Sequence, residues 1–348
     1  MNPGYAVIRI PKAGGGIRVL HVPCASLKAE QKNVLKVLQK FVLSFGPFVH
    51  GYARKRSIKT NAENLVLTRD GKYWAPTFLL KLDIRDFFSN VTAGLVDECL
   101  AKEKVPVWLR EGVRLKCFID LNGKRVLPQG APTSPFLSAL VMKYVSIRLS
   151  GLLKQSPSWC PSRLSVYADN ITFSSDAPMY GWIPKVRYVL GKFGLELRED
   201  KIRVSRKPGR QIICGVQIND KIGPPRAVWR NLRAELHNAW MDRMAGLVPS
   251  GYRLDQKTRR DIRFSAGTRG LSGVVKKKDL PHLARDFLKG KKIEPLPLSR
   301  WQGQISFVKS LDPAKGEQLE KLFKKVEDVC SMRGKTSSSA RSLALPAS

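Results

Sequence analysis

The tetrapeptide Tyr167-Ala168-Asp169-Asn170 sets a carboxylate between two stretches, Arg163 to Val166 and Ile171 to Ser174, whose apolar and polar residues alternate with the period of a half-buried strand. Asp and Asn tolerate the positive φ of tight strand connections, so the spacing predicts a hairpin with Asp169-Asn170 at its turn. A second carboxylate, Asp83, ends the apolar run Phe78 to Leu82. Two acids at two strand ends can share two divalent cations roughly 3.5–4 Å apart, which clamp the attacking and leaving oxygens of an in-line displacement. Asp86 lies three residues beyond that position and reads as structural.

Several elements must hold these acids. Ile17 to His21 alternates as a strand. Lys28 to Phe45 places Val34, Leu35, Val37, Leu38, Phe41 and Val42 on one helical face, which reads as core packing. After Pro135, a helix-entry residue, Leu137, Leu140, Val141, Tyr144, Val145, Leu149 and Leu152 keep a helical period and predict a long helix beneath the sheet. Arg198 to Arg210 reads as a basic connector, Gln211 to Ile218 as a further strand, and the chain from Pro225 as helical and very basic. Ser331 to Ser348, rich in Ser, Ala, Arg and Lys, has no period long enough to pack and reads as a disordered tail.

With 62 Lys+Arg against 28 Asp+Glu, the formal net charge of +34 implies a salt-sensitive attraction to polyanions, nucleic acid first. The sequence has no signal peptide and no apolar run of 18 residues, so the expectation is a cytoplasmic protein with no membrane partner. The six cysteines have neither zinc spacing nor disulfide density and read as reduced thiols.

Between the two acids lies Leu127-Pro128-Gln129-Gly130-Ala131-Pro132-Thr133-Ser134-Pro135. With it the chain resembles the palm of a reverse transcriptase: Asp83 matches the first catalytic motif, Gln129-Gly130 the template and nucleotide loop, and Tyr167 to Asn170 the Tyr-x-Asp-Asp box. Within that superfamily it is similar to the bacterial retron type. His50 to Ile58 followed by Asn61-Ala62 resembles the fingers segment, and Trp301 to Val308 followed by Asp312-Pro313 the C-terminal region. The resemblance implies an α+β right-hand polymerase with an antiparallel palm sheet and a basic, helical thumb. Its expected parts are fingers over 1–76, palm over 77–218, thumb over 219–330 and the tail over 331–348. Three positions depart from the retron pattern: Leu65 replaces a histidine, Ile213-Cys214-Gly215 stands for Val-Thr-Gly, and Asn170 stands for a second aspartate.

The resemblance also implies roles. Asp83 and Asp169 would hold two Mg²⁺ ions, with Asn170 as a neutral ligand that weakens the site and gives manganese an opening. Phe88 would exclude a 2′-hydroxyl, with Phe87 the core aromatic beside it. Gln129 would sit near the incoming nucleotide, with Gly130 allowing backbone to approach it. Arg54, Lys55 and Arg56 are candidates for gripping the triphosphate, with only one or two of them facing the site. Lys201 would protonate the departing pyrophosphate, and Arg226, Arg230 and Arg233, at helical spacing, would form a stripe for phosphate backbone. Implied partners are a noncoding RNA template, its DNA product, dNTPs and an effector protein of a phage-defence cassette. Two alternatives remain: a related defence reverse transcriptase making repetitive or protein-primed DNA, and an RNA-binding scaffold that has lost catalysis.

Overall fold

The computed structural model describes residues 4–11, 15–69, 72–156, 160–244, 252–254, 293–295 and 297–332. The chain divides into two compact units, Met1–Ile222 and Gly223–Ser348. The first opens with the antiparallel hairpin β1 (Tyr5–Pro11) and β2 (Ile17–Pro23), followed by α1 (Ala25–Phe41), α2 (Ile58–Glu63) and the small hairpin β3 (Leu67–Arg69) and β4 (Lys72–Trp74). Then come β5 (Phe78–Asp83), the helices α3 (Phe87–Asn90), α4 (Ala93–Lys102) and α5 (Val107–Lys116), and the hairpin β6 (Ile119–Leu121) and β7 (Lys124–Val126). The unit continues through α6 (Ser134–Ser150), β8 (Arg163–Tyr167), β9 (Asn170–Ser175) and α7 (Trp182–Gly191), and ends with β10 (Arg203–Arg206), β11 (Ile212–Ile213) and β12 (Val216–Gln217).

One four-stranded antiparallel sheet, in the order β10-β5-β9-β8, organises this unit. Its two central strands, β5 and β9, are almost continuously buried: Phe78, Leu80, Leu82, Ile171 and Phe173 share one core with residues of α4, α6 and α7, and Ser174 Oγ donates to Leu65 O at 2.7 Å. The helix expected after Pro135 is α6. It is buried around nearly its whole circumference, with Leu137, Leu140, Val141, Val145 and Leu149 at 0% exposure. The stretch Ser134–Gln155 is long and apolar enough to cross a membrane by composition, at a mean hydropathy of 1.4, yet 61% of that window is buried within the protein. A helix that is apolar all round belongs in a core as readily as in a bilayer.

Three expectations about elements need correction. The first helix ends at Phe41, so Val42 and Phe45 reach the core from the segment after it. Arg198 to Arg210 contains β10, an edge strand paired with β5; its exposed arginines hid the strand, since only Val204 and Ser205 are drawn inward. Gln211 to Ile218 folds back on itself as the hairpin β11–β12, turned by Cys214 (φ 47) and Gly215 (φ 83). Two consecutive positive φ values are what a two-residue type I′ turn requires.

The second unit is built on α8 (Arg226–Met244), the short antiparallel pair β13 (Tyr252–Leu254) and β14 (Ile293–Pro295), α9 (Leu298–Leu311) and α10 (Pro313–Met332). Its core gathers Leu232, Leu236 and Ala239 of α8, Trp301, Ile305 and Val308 of α9, and Leu319, Phe323 and Val326 of α10. Trp301 is fully buried and donates its indole N–H to Glu235 Oε2 at 2.9 Å. Ser331 and Met332 close α10, whereas the rest of the expected tail, 333–348, lies outside the described residues. Among the described residues Cys24, Cys99, Cys117, Cys160 and Cys214 are free thiols.

Candidate active site

The register of the sheet brings the two predicted acids together. Asp83, the last residue of β5, pairs with Asn170, the first of β9, and Asn170 pairs with Tyr167 across the β8–β9 hairpin. The turn therefore consists of Ala168 and Asp169, one residue earlier than expected, because Asn170 is taken into the ladder. The positive φ falls on Ala168 (φ 56), which has neither the side-chain polarity of Asn nor the freedom of Gly. A left-handed alanine costs about 1–2 kcal/mol, so the surroundings must hold it.

The Phe48–Gly51 segment does so. Val166 N–H donates to Phe48 O at 2.8 Å, and His50 N–H donates to Val166 O at 2.7 Å, which straps this segment along the outer edge of β8. Gly51 then lies so close to the turn that a Cβ placed on it would sit 2.2 Å from Ala168 N. His50 is buried beneath. Its Nδ1–H donates to Thr60 Oγ1 (2.9 Å), and its Nε2 accepts from Arg56 Nη1 (3.3 Å). Burial, followed by the Arg56 charge, lowers its pKa to about 4, so the ring is neutral and can accept from a cation.

Both acids are also fixed through their backbones. Ile84 N–H donates to Asp169 O at 3.1 Å, and Arg198 N–H donates to Asp83 O at 2.8 Å. Asp83 is 8% exposed, and Lys201 Nζ stands 3.2 and 3.4 Å from its two carboxylate oxygens. Burial raises the Asp169 carboxyl above the usual range and the Asp83 charge raises it further, while Lys201 and the Asn170 amide pull it down. Asn170 Nδ2 donates to Asp169 Oδ1 at 2.9 Å. Two like-charged, partly desolvated carboxylates, one at a strand end and one in the adjoining turn, fit a divalent cation, which prefers hard oxygen donors and would relieve the repulsion that Lys201 and the Asn170 amide now offset in part.

A cavity of about 770 Å³ opens over these acids. It is lined by Asp83, Asp169, Phe88, Gln129, Gly130 and Lys201 among the residues singled out from sequence, and by Asp86 and Phe87. Asp86 holds a left-handed conformation (φ 41) at the start of α3. Gly130, with φ +115, also makes a close approach within the protein itself. A Cβ there would lie 3.1 Å from His21 O, and His21 N–H donates to Gln129 O at 2.6 Å, so this loop is sewn to β2.

Other expected residues are not brought to the cavity. Arg56 is bonded within its own segment, to Pro47 O at 2.7 Å and Val49 O at 3.3 Å as well as to His50, and Arg54 is exposed and outside the lining. Lys55 is exposed and outside it as well, and Asn170, half-buried in the sheet ladder, is also outside it. Arg226, Arg230 and Arg233 lie exposed on α8 of the second unit, with the Arg233 guanidinium 4.8 Å from the Trp229 ring centre.

Sequence reasoning passed over Arg18, His21, Tyr52 and Arg198, all of which line the cavity. Arg18 and His21 were legible only as parts of a strand, since nothing in an alternating run says which edge of a cleft it will border. Tyr52 (φ 60) follows Gly51, and its phenol is held neutral by burial and by nearby Asp169, with Arg18 acting in the opposite sense.

A buried acid pair at the end of an antiparallel sheet, under a cleft walled by a glycine loop and a basic hairpin, is the arrangement of a polymerase palm. Residues 10–221 match the family described as reverse transcriptase (RNA-dependent DNA polymerase), and the chain belongs to that family, with its α+β right-hand polymerase fold. It is of the retron type. It is 34% identical over 255 residues to Retron Mx65 reverse transcriptase of Myxococcus xanthus, covering 67% of this chain and 55% of that one. With Retron Mx162 reverse transcriptase of the same organism the identity is 32% over 266 residues, 67% of this chain and 52% of the other. With Retron Ec83 reverse transcriptase of Escherichia coli it is 28% over 272 residues, 72% and 83%. The chain thus spans about half the length of the two Myxococcus relatives.

Proposed function

We propose that this chain is an RNA-directed DNA polymerase that copies a dedicated noncoding RNA into a short DNA from dNTPs, in the cytoplasm, as part of an antiphage cassette with an effector protein. The observation that carries the polymerase reading is the pairing of Asp83 with the residue beside Asp169 at the floor of a cleft of substrate size. Fingers (1–76), palm (77–218) and thumb (219–330) are the matching division of the chain.

In this reading Asp83 and Asp169 hold two magnesium ions. The metal supplies charge stabilisation to the attacking 3′-hydroxyl and to the leaving pyrophosphate. Lys201, an ammonium already aimed at Asp83, lies where it can give a proton to the departing pyrophosphate once the acids have other counter-charges. Arg18 and Arg198, as cavity-lining guanidiniums, take the phosphate-gripping role first expected of Arg54 and Arg56. Asn170 supports Asp169 through its amide bond, beside any part as a neutral ligand. Gln129 borders the incoming nucleotide, and Arg226, Arg230 and Arg233 offer a stripe to the phosphate backbone.

Phe88 is the wall against a 2′-hydroxyl. Phe88→Ala is expected to admit ribonucleotides, whereas Phe87→Ala, which empties a site 3% exposed, is expected to cost about 3–5 kcal/mol of stability. Misincorporation assays and thermal melts on both variants separate the two. The reading as a whole is tested by sequencing the RNA and DNA that copurify with the chain and by extending that RNA with dNTPs and magnesium. Copurified RNA without any covalent or templated DNA, and no extension in either magnesium or manganese, would reject it.

A further inference from the structure

Away from the catalytic cavity, three helices frame a second hollow of about 820 Å³. Its lining includes Glu98 and Lys102 of α4, Tyr144 and Arg148 of α6, and Tyr188 and Lys192 at the end of α7. It shares no lining residue with the catalytic cavity. Pro135 of α6 borders that cavity, and Tyr144, nine residues on, lies about 13 Å further along the helix axis.

Two of the cations are stacked on rings. Lys102 Nζ lies 5.0 Å from the Tyr144 ring centre, and Lys192 Nζ lies 5.0 Å from that of Tyr188. Tyr188 is nonetheless 67% exposed, a large aromatic surface left to water. Lysines near helix C-termini offset the helix dipole, which accounts for Lys102 and Lys192 one at a time. It does not account for cations from three helices meeting around one hollow beside an exposed ring.

We propose that this hollow binds a single strand of RNA, with a base stacked on Tyr188 and phosphates paired to Lys102, Arg148 and Lys192. Aromatic faces interleaved with cations are how proteins hold single strands without reading sequence. Glu98 is the reason for choosing RNA: a carboxylate repels phosphate but accepts a hydrogen bond from a 2′-hydroxyl, which DNA lacks. The choice of RNA rests on the polymerase reading, but the site needs no catalysis.

The full chain carrying Asp169→Asn, with its cleft filled by excess unlabelled primer–template, would be titrated with labelled oligo(U) of about 15 nucleotides. Saturable binding is expected. The triple change Lys102→Glu, Arg148→Glu, Lys192→Glu is expected to weaken it tenfold or more and to flatten the log–log salt slope by about 2. Tyr188→Ala, which leaves the charges in place, is expected to weaken it about fivefold. Ultraviolet cross-linking should place the oligonucleotide on Tyr188. Native affinity in both variants overturns the proposal, and so does equal binding of oligo(dT). An acidic amphipathic peptide that binds where oligo(U) does not would assign the hollow to a protein helix instead. Because the assay runs on a catalytically disabled chain, a failure of polymerisation leaves its outcome readable.

Discussion

The hairpin tip that carries Asp169 and the His50–Asn64 segment that straps it lie against each other, and both consist of motif residues, but they use their side chains in opposite ways. At the tip the carboxylate is directed into a cleft beside a second acid, in an arrangement whose charges remain incompletely balanced. In the strap, apart from Tyr52 at the cavity and the exposed Arg54 and Lys55, the polar groups named by the motif are turned on the protein itself. His50, Arg56 and Thr60 bond one another or nearby backbone, Asn61 Oδ1 accepts from Ser165 Oγ at 2.7 Å, and Asn64 Nδ2 donates to Leu164 O at 2.7 Å. One region is held away from its electrostatic optimum, and the other is saturated so that it can do the holding. A motif residue is therefore not by itself a site residue; what matters is whether its polar atoms are already satisfied.

The largest test of this contrast is to neutralise the acids. Asp83→Asn and Asp169→Asn are each expected to reduce DNA synthesis by about a thousandfold or more, the scale of removing a group that stabilises charge in the transition state. Folding should survive. Asp169 has its carboxyl raised by burial and by Asp83, so the folded state favours the neutral form and gains stability as pH falls through that raised value. Asp169→Asn should accordingly melt no lower than the native chain at neutral pH. A clear loss of thermal stability would mean that the carboxylate belongs with the saturated region after all.

Gly51→Ala tests the strap from the other side. The added methyl carbon would need space 2.2 Å from Ala168 N, so either the turn or the strap must move. A displacement of the order of 1 Å at a catalytic group costs roughly a hundredfold in rate. The expected result is that loss of primer extension together with a lowered melting temperature, although Gly51 offers no functional group. Full activity in Gly51→Ala would show the turn to be held by β8 and β9 alone.

This division explains what could be read beforehand. The alternation around Tyr167 and the apolar run into Asp83 were plain because both strands are buried, and burial writes its period into the sequence. Strand β10 was missed because an edge strand needs little apolar patterning, and β11–β12 was read as one strand because Cys214-Gly215 is not a common turn pair. Trp301 to Val308 was visible as a family-like segment, yet its tryptophan is the centre of a helical core. The walls of the cleft were the least legible. Arg18 and Tyr52 owe their place to how the β1–β2 hairpin and the strap fold over the acids, and that is a long-range property with no local period.

His50 gives a smaller effect with a defined pH window. Its pKa is about 4 in the fold against an ordinary value of 6.5, so the unfolded chain takes up a proton that the folded chain refuses as pH falls through 6.5 toward 4. Stability is fully present above that window and is lost within it, by about 3 kcal/mol across the whole interval, a magnitude set by linkage between the two values. Chemical denaturation at pH 7.5 and pH 4.5 measures the loss. His50→Gln, which cannot take up the proton, should show a smaller difference between the two pH values.

The finest test concerns Asn170, which belongs to both regions: it stands in the sheet ladder between Tyr167 and Asp83, and its amide bonds the carboxylate of Asp169. If that bond is its main service, Asn170→Asp replaces an attraction with a repulsion, raises the Asp169 carboxyl further, and makes the site more dependent on metal to hold the acids together. If its oxygen is a ligand, the same change adds an anionic donor and lowers the magnesium requirement several-fold, while reducing any advantage of manganese. Primer extension titrated with each metal reads the second effect, and the melting temperature of the metal-free chain reads the first. A metal-free chain destabilised by Asn170→Asp, then restored by magnesium at concentrations lower than the native chain needs for synthesis, would show both roles in one residue. Unchanged melting and superimposed metal curves would remove Asn170 from the site altogether.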